Sequence, residues 1–115
     1  MMSQSRIEAF QAMLKDQPDE VMIWYGLGNE YFKLERWAEA ADALRNVVRL
    51  NPDYTAAYQM LGSALMGAGR RDEARAAWTA GVEAGRRTGA WKAQQHMERL
   101  LAESTQAGGG AEFCD

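Results

Sequence analysis

The chain is expected to be all-α, with about six helices paired into antiparallel hairpins that stack on one another. Three observations lead there. Ala, Leu, Met, Glu and Arg are frequent and only Pro18 and Pro52 interrupt 115 residues, so helical propensity is high nearly throughout. Apolar residues recur at intervals of three and four, the period of a helix with one buried face. Sliding the chain over itself by 34 residues brings Leu27 onto Leu61, Gly28 onto Gly62, Arg36 onto Arg70, Glu39 onto Glu73, Ala40 onto Ala74, Ala43 onto Ala77 and Val48 onto Val82. Self-similarity at such a period marks supersecondary units that bury their apolar faces only by stacking.

The first helix is expected from about Ser5 to Lys15, with Ser5 and Glu8 at capping-box spacing and Ile7, Phe10 and Leu14 as its stripe. Pro18 closes it, because proline disfavours helical geometry in the residue before it. Asp19 is placed to cap a second helix through Lys33, with Trp24, Leu27, Gly28 and Tyr31 on one face. A bulky side chain then flanks a gap one turn long, into which another helix can fit. The third helix, about Trp37 to Leu50, presents Ala40, Leu44, Val47 and Val48 and stops at Asn51-Pro52. Asp53 is expected to cap a fourth, Tyr54 to Met66, showing Tyr58, Leu61, Gly62 and Leu65. Gly67 and Gly69 break it, and Asp72 starts a fifth, to about Gly85, with Ala74, Trp78 and Val82 inward. A last helix, Gly89 to about Ala102, slips by one residue from the repeat register and buries Ala93, Met97, Leu100 and Leu101. The tail, 104–115, contains Gly108-Gly109-Gly110 and is expected to be flexible.

Residues Trp24, Leu27-Gly28, Tyr31, Ala40, Leu44 and Pro52 fall at the spacing of the tetratricopeptide repeat, which this segment resembles. The second copy, 55–88, keeps Tyr58, Leu61-Gly62, Ala74 and Trp78 but has Leu65 for an aromatic, Gly81 where the first has Val47, and Arg86 where a proline would stand. The resemblance implies a right-handed α-solenoid forming a single domain over 1–103. Its parts are a leading half-repeat at 5–17, repeats at 21–54 and 55–88, and a capping helix at 89–103 that covers the open end.

Composition narrows the function. A net charge of −3 with interleaved signs provides no field that would favour nucleic acid or an anionic membrane. No apolar run approaches the roughly 18 residues of a membrane span, and the first ten residues lack the apolar core of a secretory signal, so a cytoplasmic location is expected. The single cysteine, Cys114, has no cysteine to pair with and is read as an incidental thiol on a mobile tail. Gly26-Leu27-Gly28 lacks the third glycine and the strand of a nucleotide loop, and Ala68 stands where a phosphate loop needs lysine. The neighbours of His96 on its helix face, Lys92, Arg99 and Leu100, include no carboxylate or hydroxyl, so it is read as a surface residue. Arg70, Arg71, Arg75, Arg86 and Arg87 form a basic end, read as a solvated edge balanced by acids, with phosphate or RNA contact as the alternative. The chain is therefore expected to have no catalytic residue, cofactor or metal.

The surface left for function is the inner face of the first helix of each repeat, which the family resemblance makes a concave groove. Met22, Tyr25, Asn29, Phe32 and Lys33, then Gln59, Met60, Ser63 and Met66, are the residues expected to meet a partner there, with Gly26, Ala56 and Gly67 on the same face. From the last helix Gln94, Met97 and Leu101 are expected to form the far wall. Members of the family that clamp an acidic C-terminal peptide use Lys and Asn at the fifth and ninth positions. Here Tyr25 and Asn29 stand at those positions, and Met60 replaces a second asparagine, so only Asn29 matches. A groove of Met, Tyr and Phe instead suits varied apolar side chains. The expected function is a non-catalytic adaptor binding a peptide or amphipathic helix, as a monomer or weak homodimer. The alternative is a structural module that homo-oligomerises through the same surface. A groove-bound Phe113 from the tail is a further, less favoured occupant.

Overall fold

High helical propensity, broken at Pro18, Pro52 and the left-handed residues Glu35, Gly69 and Gly89, gives six α-helices and no strand among the described residues, which are those whose backbone the computed structural model places, 2–113. α1 spans Met2–Asp16, α2 Val21–Lys33, α3 Trp37–Leu50, α4 Thr55–Gly67, α5 Arg71–Thr88 and α6 Trp91–Phe113. Each helix packs on the next, and α4 also touches α6. The result is a stack of antiparallel hairpins, an all-α solenoid in which α2–α3 and α4–α5 are the full repeats and α1 and α6 cover the ends.

The core follows the repeated positions. Leu27, Tyr31, Ala40, Leu44 and Val47 are buried in the first repeat, and Leu61, Leu65, Ala74, Trp78 and Val82 in the second. Large side chains enter the gaps expected of them. A Cβ on Gly28 would meet Leu44 Cγ at 2.9 Å, and one on Gly62 would overlap the Trp78 indole. Ile7 of α1 is 1% exposed and Met97 of α6 is 0% exposed, so both end helices contribute to the core. Trp24, on the same stripe as Leu27 and Tyr31, is only half-buried, its Nε1 donating to Pro18 O at 2.7 Å. The cost of truncating a wholly buried tryptophan therefore does not apply to it.

Several element ends differ from expectation. Ser5 lies a turn inside α1, which starts at Met2, so it does not cap the helix. Asp19 and Asp53 precede the N-cap residues Glu20 and Tyr54, and no side-chain cap is made at the start of α2 or α4. The Asp53 carboxylate instead accepts from Arg87 Nη2 at 2.9 Å and Nε at 3.2 Å, tying the end of the second repeat to the loop that closes the first. Without a proline at position 86, α5 runs past Gly85 to Thr88 and stops at Gly89, whose φ of +79° is left-handed. The tail from Ser104, expected to be flexible, continues α6 as helix to Phe113. Arg75 accounts for the first turn of this extension: its guanidinium donates to Leu101 O at 3.0 Å, Ser104 Oγ at 2.6 Å and Thr105 Oγ1. Beyond that, a nucleated helix needs only one further hydrogen bond per residue to extend. The expectations about Cys114 and the Phe113 side chain fall outside the described residues.

The turns within the two repeats also correspond. Gly69 has φ of +80°, and Glu35, one repeat earlier, has φ of +57°. A side chain in that region costs about 1–2 kcal/mol. Because Glu35 is exposed, Glu35→Gly is expected to raise stability by about 0.5–1 kcal/mol in chemical denaturation, the gain being offset in part by glycine's greater unfolded-state freedom.

Candidate functional site

A helix presents every third or fourth residue to one neighbour, so the residues of α2 and α4 that do not enter the core form separate stripes. Where these stripes face each other there is a pocket of about 280 Å³ lined by Tyr25, Phe32, Ala56, Gln59, Met60 and Ser63. Five of the nine residues expected to meet a partner line it together. The other four do not. Met22 is exposed at the start of α2, Asn29 and Met66 are half-buried outside its lining, and Lys33 reaches Glu30 Oε2 at 3.4 Å. Of the other inner-face positions, Gly26 lies under the Phe10 ring, Gly67 lies against Trp37, and Met97 is core and not wall.

The pocket walls are held by aromatic contacts that sequence reasoning missed. Tyr54, in the loop before α4, stacks on Tyr25 with ring centroids 5.0 Å apart and planes 24° apart. Its hydroxyl lies 3.9 Å from Met22 Sδ. Trp37, at the start of α3, meets Phe32 edge-on, also with centroids 5.0 Å apart. The signal was present, since Trp37 opens α3 and Tyr54 immediately precedes α4, but a residue at a helix end lies outside the apolar stripe from which a facing is read. Burial, and then the neighbouring Tyr54, push the Tyr25 hydroxyl above the ordinary tyrosine value. It is therefore neutral at physiological pH and acts as a hydrogen-bonding group on an apolar wall.

The polar groups at this site are uncommitted. The side chains of Asn29, Gln59 and Ser63 make no hydrogen bond to another described residue, and Gln59 and Ser63 are one turn apart on α4. An amide and a hydroxyl in that arrangement can pair with the N–H and C=O of an extended chain, while Tyr25, Phe32 and Met60 take one bulky apolar side chain. Glu30, next to Asn29, is a buried carboxylate with Arg6 at 3.7 Å and Lys33 at 3.4 Å, and its Oε1 has no hydrogen-bond partner among the described residues. Lys33 is thereby drawn towards Glu30.

The basic end is largely neutralised. Arg70 pairs with Glu73, Arg86 with Glu83 and Glu98, and Arg87 with Asp53, while Arg75 holds α6. Among the described residues no three His, Cys, Asp or Glu side chains come close enough to hold a metal ion, and no helix is long and apolar enough to cross a membrane.

Comparison with known proteins agrees with this geometry. The tetratricopeptide repeat family model matches residues 21–54. The chain is similar to the TPR repeat-containing protein PA0015 of Pseudomonas aeruginosa, with 31% identity over 101 residues, 88% of this chain and 96% of that protein. Its structure is similar to the solution structure of protein BPP2914 from Bordetella parapertussis, with a TM-score of 0.74 at 29% identity over 88% of each chain. It is also similar to the TPR2B domain of yeast Sti1 in its pHsp70 complex, with a TM-score of 0.78 at 16% identity, covering 88% of this chain and 81% of that one.

Proposed function

We propose that this chain, which belongs to the tetratricopeptide repeat family, is a non-catalytic adaptor that takes a short peptide or amphipathic helix of another protein into the pocket between α2 and α4. Members of the family mediate protein–protein interactions. The observation that carries the reading is the pocket itself: a space of about 280 Å³ between the apolar side chains of Tyr25, Phe32 and Met60 and the uncommitted polar groups of Gln59 and Ser63. That volume suits one large side chain and is smaller than the roughly 300–1,000 Å³ typical of small-molecule sites. The family likeness to a domain solved in a pHsp70 complex supports a peptide as occupant. Lys33 is engaged with Glu30 and Tyr25 stands at the fifth position, so the ligand is not selected by a terminal carboxylate. An apolar residue within an extended segment is the better fit. An interface this small gives transient, micromolar binding.

Screening a peptide array with the wild type and with Tyr25→Ala and Asn29→Ala tests this. Tyr25→Ala is expected to weaken captured peptides about tenfold, roughly 1.4 kcal/mol, by removing one wall. Asn29→Ala is expected to weaken them severalfold through a lost hydrogen bond. Undiminished binding in both variants would place the site elsewhere. Homo-oligomerisation draws support from Met22 and Trp91, 59% and 58% exposed at the starts of α2 and α6. Sedimentation over a range of concentrations separates the two readings.

A further inference from the structure

A larger hollow, about 320 Å³, lies between α1 and α3 on a different stripe of α2 and shares no residue with the pocket just described. Leu14, Trp24, Leu27 and Tyr31 form its base, and Gln11, Glu39 and Asp42 its polar edge. One repeat later the same construction recurs between α3 and α5, with about 340 Å³. The correspondence holds position by position at 34 residues, Trp24 with Tyr58, Gln11 with Arg45, Glu39 with Glu73 and Asp42 with Ala76.

In the second hollow the chain seats its own cation. Arg45 Nη2 donates to Glu73 Oε1 at 2.6 Å, and Arg70 adds a more distant contact with Glu73 at 3.7 Å. In the first, Gln11 occupies the Arg45 position and directs its Nε2 to the Tyr31 hydroxyl at 3.0 Å. Glu39 keeps only the equivalent of Arg70, which is Arg36, at 2.6 and 2.7 Å. Asp42 then adds a carboxylate where the second hollow has Ala76, with Arg45 Nη1 at 3.5 Å from one of its oxygens. The first hollow thus has glutamine in the arginine's register position and one more acid, and its two carboxylates are met only from the rim, by Arg36 and Arg45.

The base suits the same ligand. Trp24 Nε1 is bonded to Pro18 O and the Tyr31 hydroxyl to Gln11, so both rings are fixed with their polar atoms satisfied. Aromatic faces beside carboxylates favour a cation, and a planar guanidinium more than an ammonium. The Tyr31 ring already has the Arg36 guanidinium 5.0 Å from its centroid.

We propose that the hollow between α1 and α3 receives an arginine side chain of a partner polypeptide, beside Gln11, where the wall of the next repeat's hollow carries Arg45. The probe is an alanine-rich decapeptide with one central arginine, titrated into the isotope-labelled full chain, with the citrulline peptide as its neutral isostere. Saturable shifts of the Trp24 indole N–H and the Gln11 side-chain amide are expected with arginine alone, weakening as salt is added. Asp42→Ala, at an exposed position, is expected to raise the dissociation constant about threefold. Gln11→Arg, which copies the second repeat, is expected to abolish the Trp24 shift without lowering the melting temperature. An equal response to citrulline, no saturable response at millimolar peptide, or undiminished binding to Gln11→Arg overturns the proposal. Self-association that Asp42→Ala removes puts the arginine on a second copy and overturns an outside partner.

Discussion

Trp78→Ala is expected to lower the free energy of unfolding by about 3–5 kcal/mol, the range for truncating a large buried aromatic. Trp78 is 3% exposed, packs against Gly62, and donates from Nε1 to Gln59 O at 3.2 Å, so the substitution removes both packing and a cross-helix hydrogen bond. Because a domain of this size has a total stability of about 5–15 kcal/mol, the variant should be at the edge of folding at 37 °C. Urea denaturation at low temperature, where the variant still folds, provides the measurement. A loss below about 1 kcal/mol would mean that α4 and α5 do not depend on this side chain. Since Gln59 also faces the candidate pocket, a folded Trp78 variant is expected to bind the pocket's peptides more weakly as well.

Removal of α6 has the larger expected effect. Met97 is fully buried among Tyr58, Trp78, Val82 and Ala84, and Ala93, Leu100 and Leu101 pack around that cluster. A Cβ on Gly81 would overlap the Met97 thioether and lie 2.7 Å from Tyr58 Cβ, so the end of the Met97 side chain occupies the space that glycine leaves on α5. Ending the chain after Gly89 exposes this cluster to water, and the expected result is a broad, weakly cooperative melt with dye-binding apolar surface. The milder Met97→Ala should cost about 2–5 kcal/mol while keeping a sharp transition. If the truncated chain melts sharply at the wild-type temperature, α6 is not part of the cooperative unit.

Most of the fold was legible because two signals reinforced each other. The stripe Trp24, Leu27, Gly28 and Tyr31 identifies a helix, and its repetition at 58, 61, 62 and 65 fixes the packing partner, which periodicity alone does not do. Helix ends were read less well. Ser5, Asp19 and Asp53 are residues that cap helices, yet α1 starts a turn earlier and the carboxylate of Asp53 finds the guanidinium of Arg87. That choice depends on a residue 34 positions away, which local chemistry does not reveal. The end of α6 was misread because propensity weighs the three glycines, whereas its first extra turn is set by Arg75. At the candidate pocket, the stripe of α2 and α4 was readable from helical spacing, but the distinction between Tyr25, which lines it, and Met22, which does not, depends on Tyr54 in a loop. The hollow between α1 and α3 was not foreseen, although Gln11 and Arg45 stand in the same register, because its meaning lies in the difference between two sites whose shape only the folded chain displays.

Packing between successive helices also sets how the chain comes into being. Its stabilising contacts join segments close in sequence, so little loop-closure entropy is spent before they form, and folding in microseconds to milliseconds follows. On the ribosome, each helix can dock as it emerges on the one made just before it, and no early segment has to wait for a distant partner except the Tyr58 and Trp78 cluster, which stays uncovered until Met97 has been synthesised.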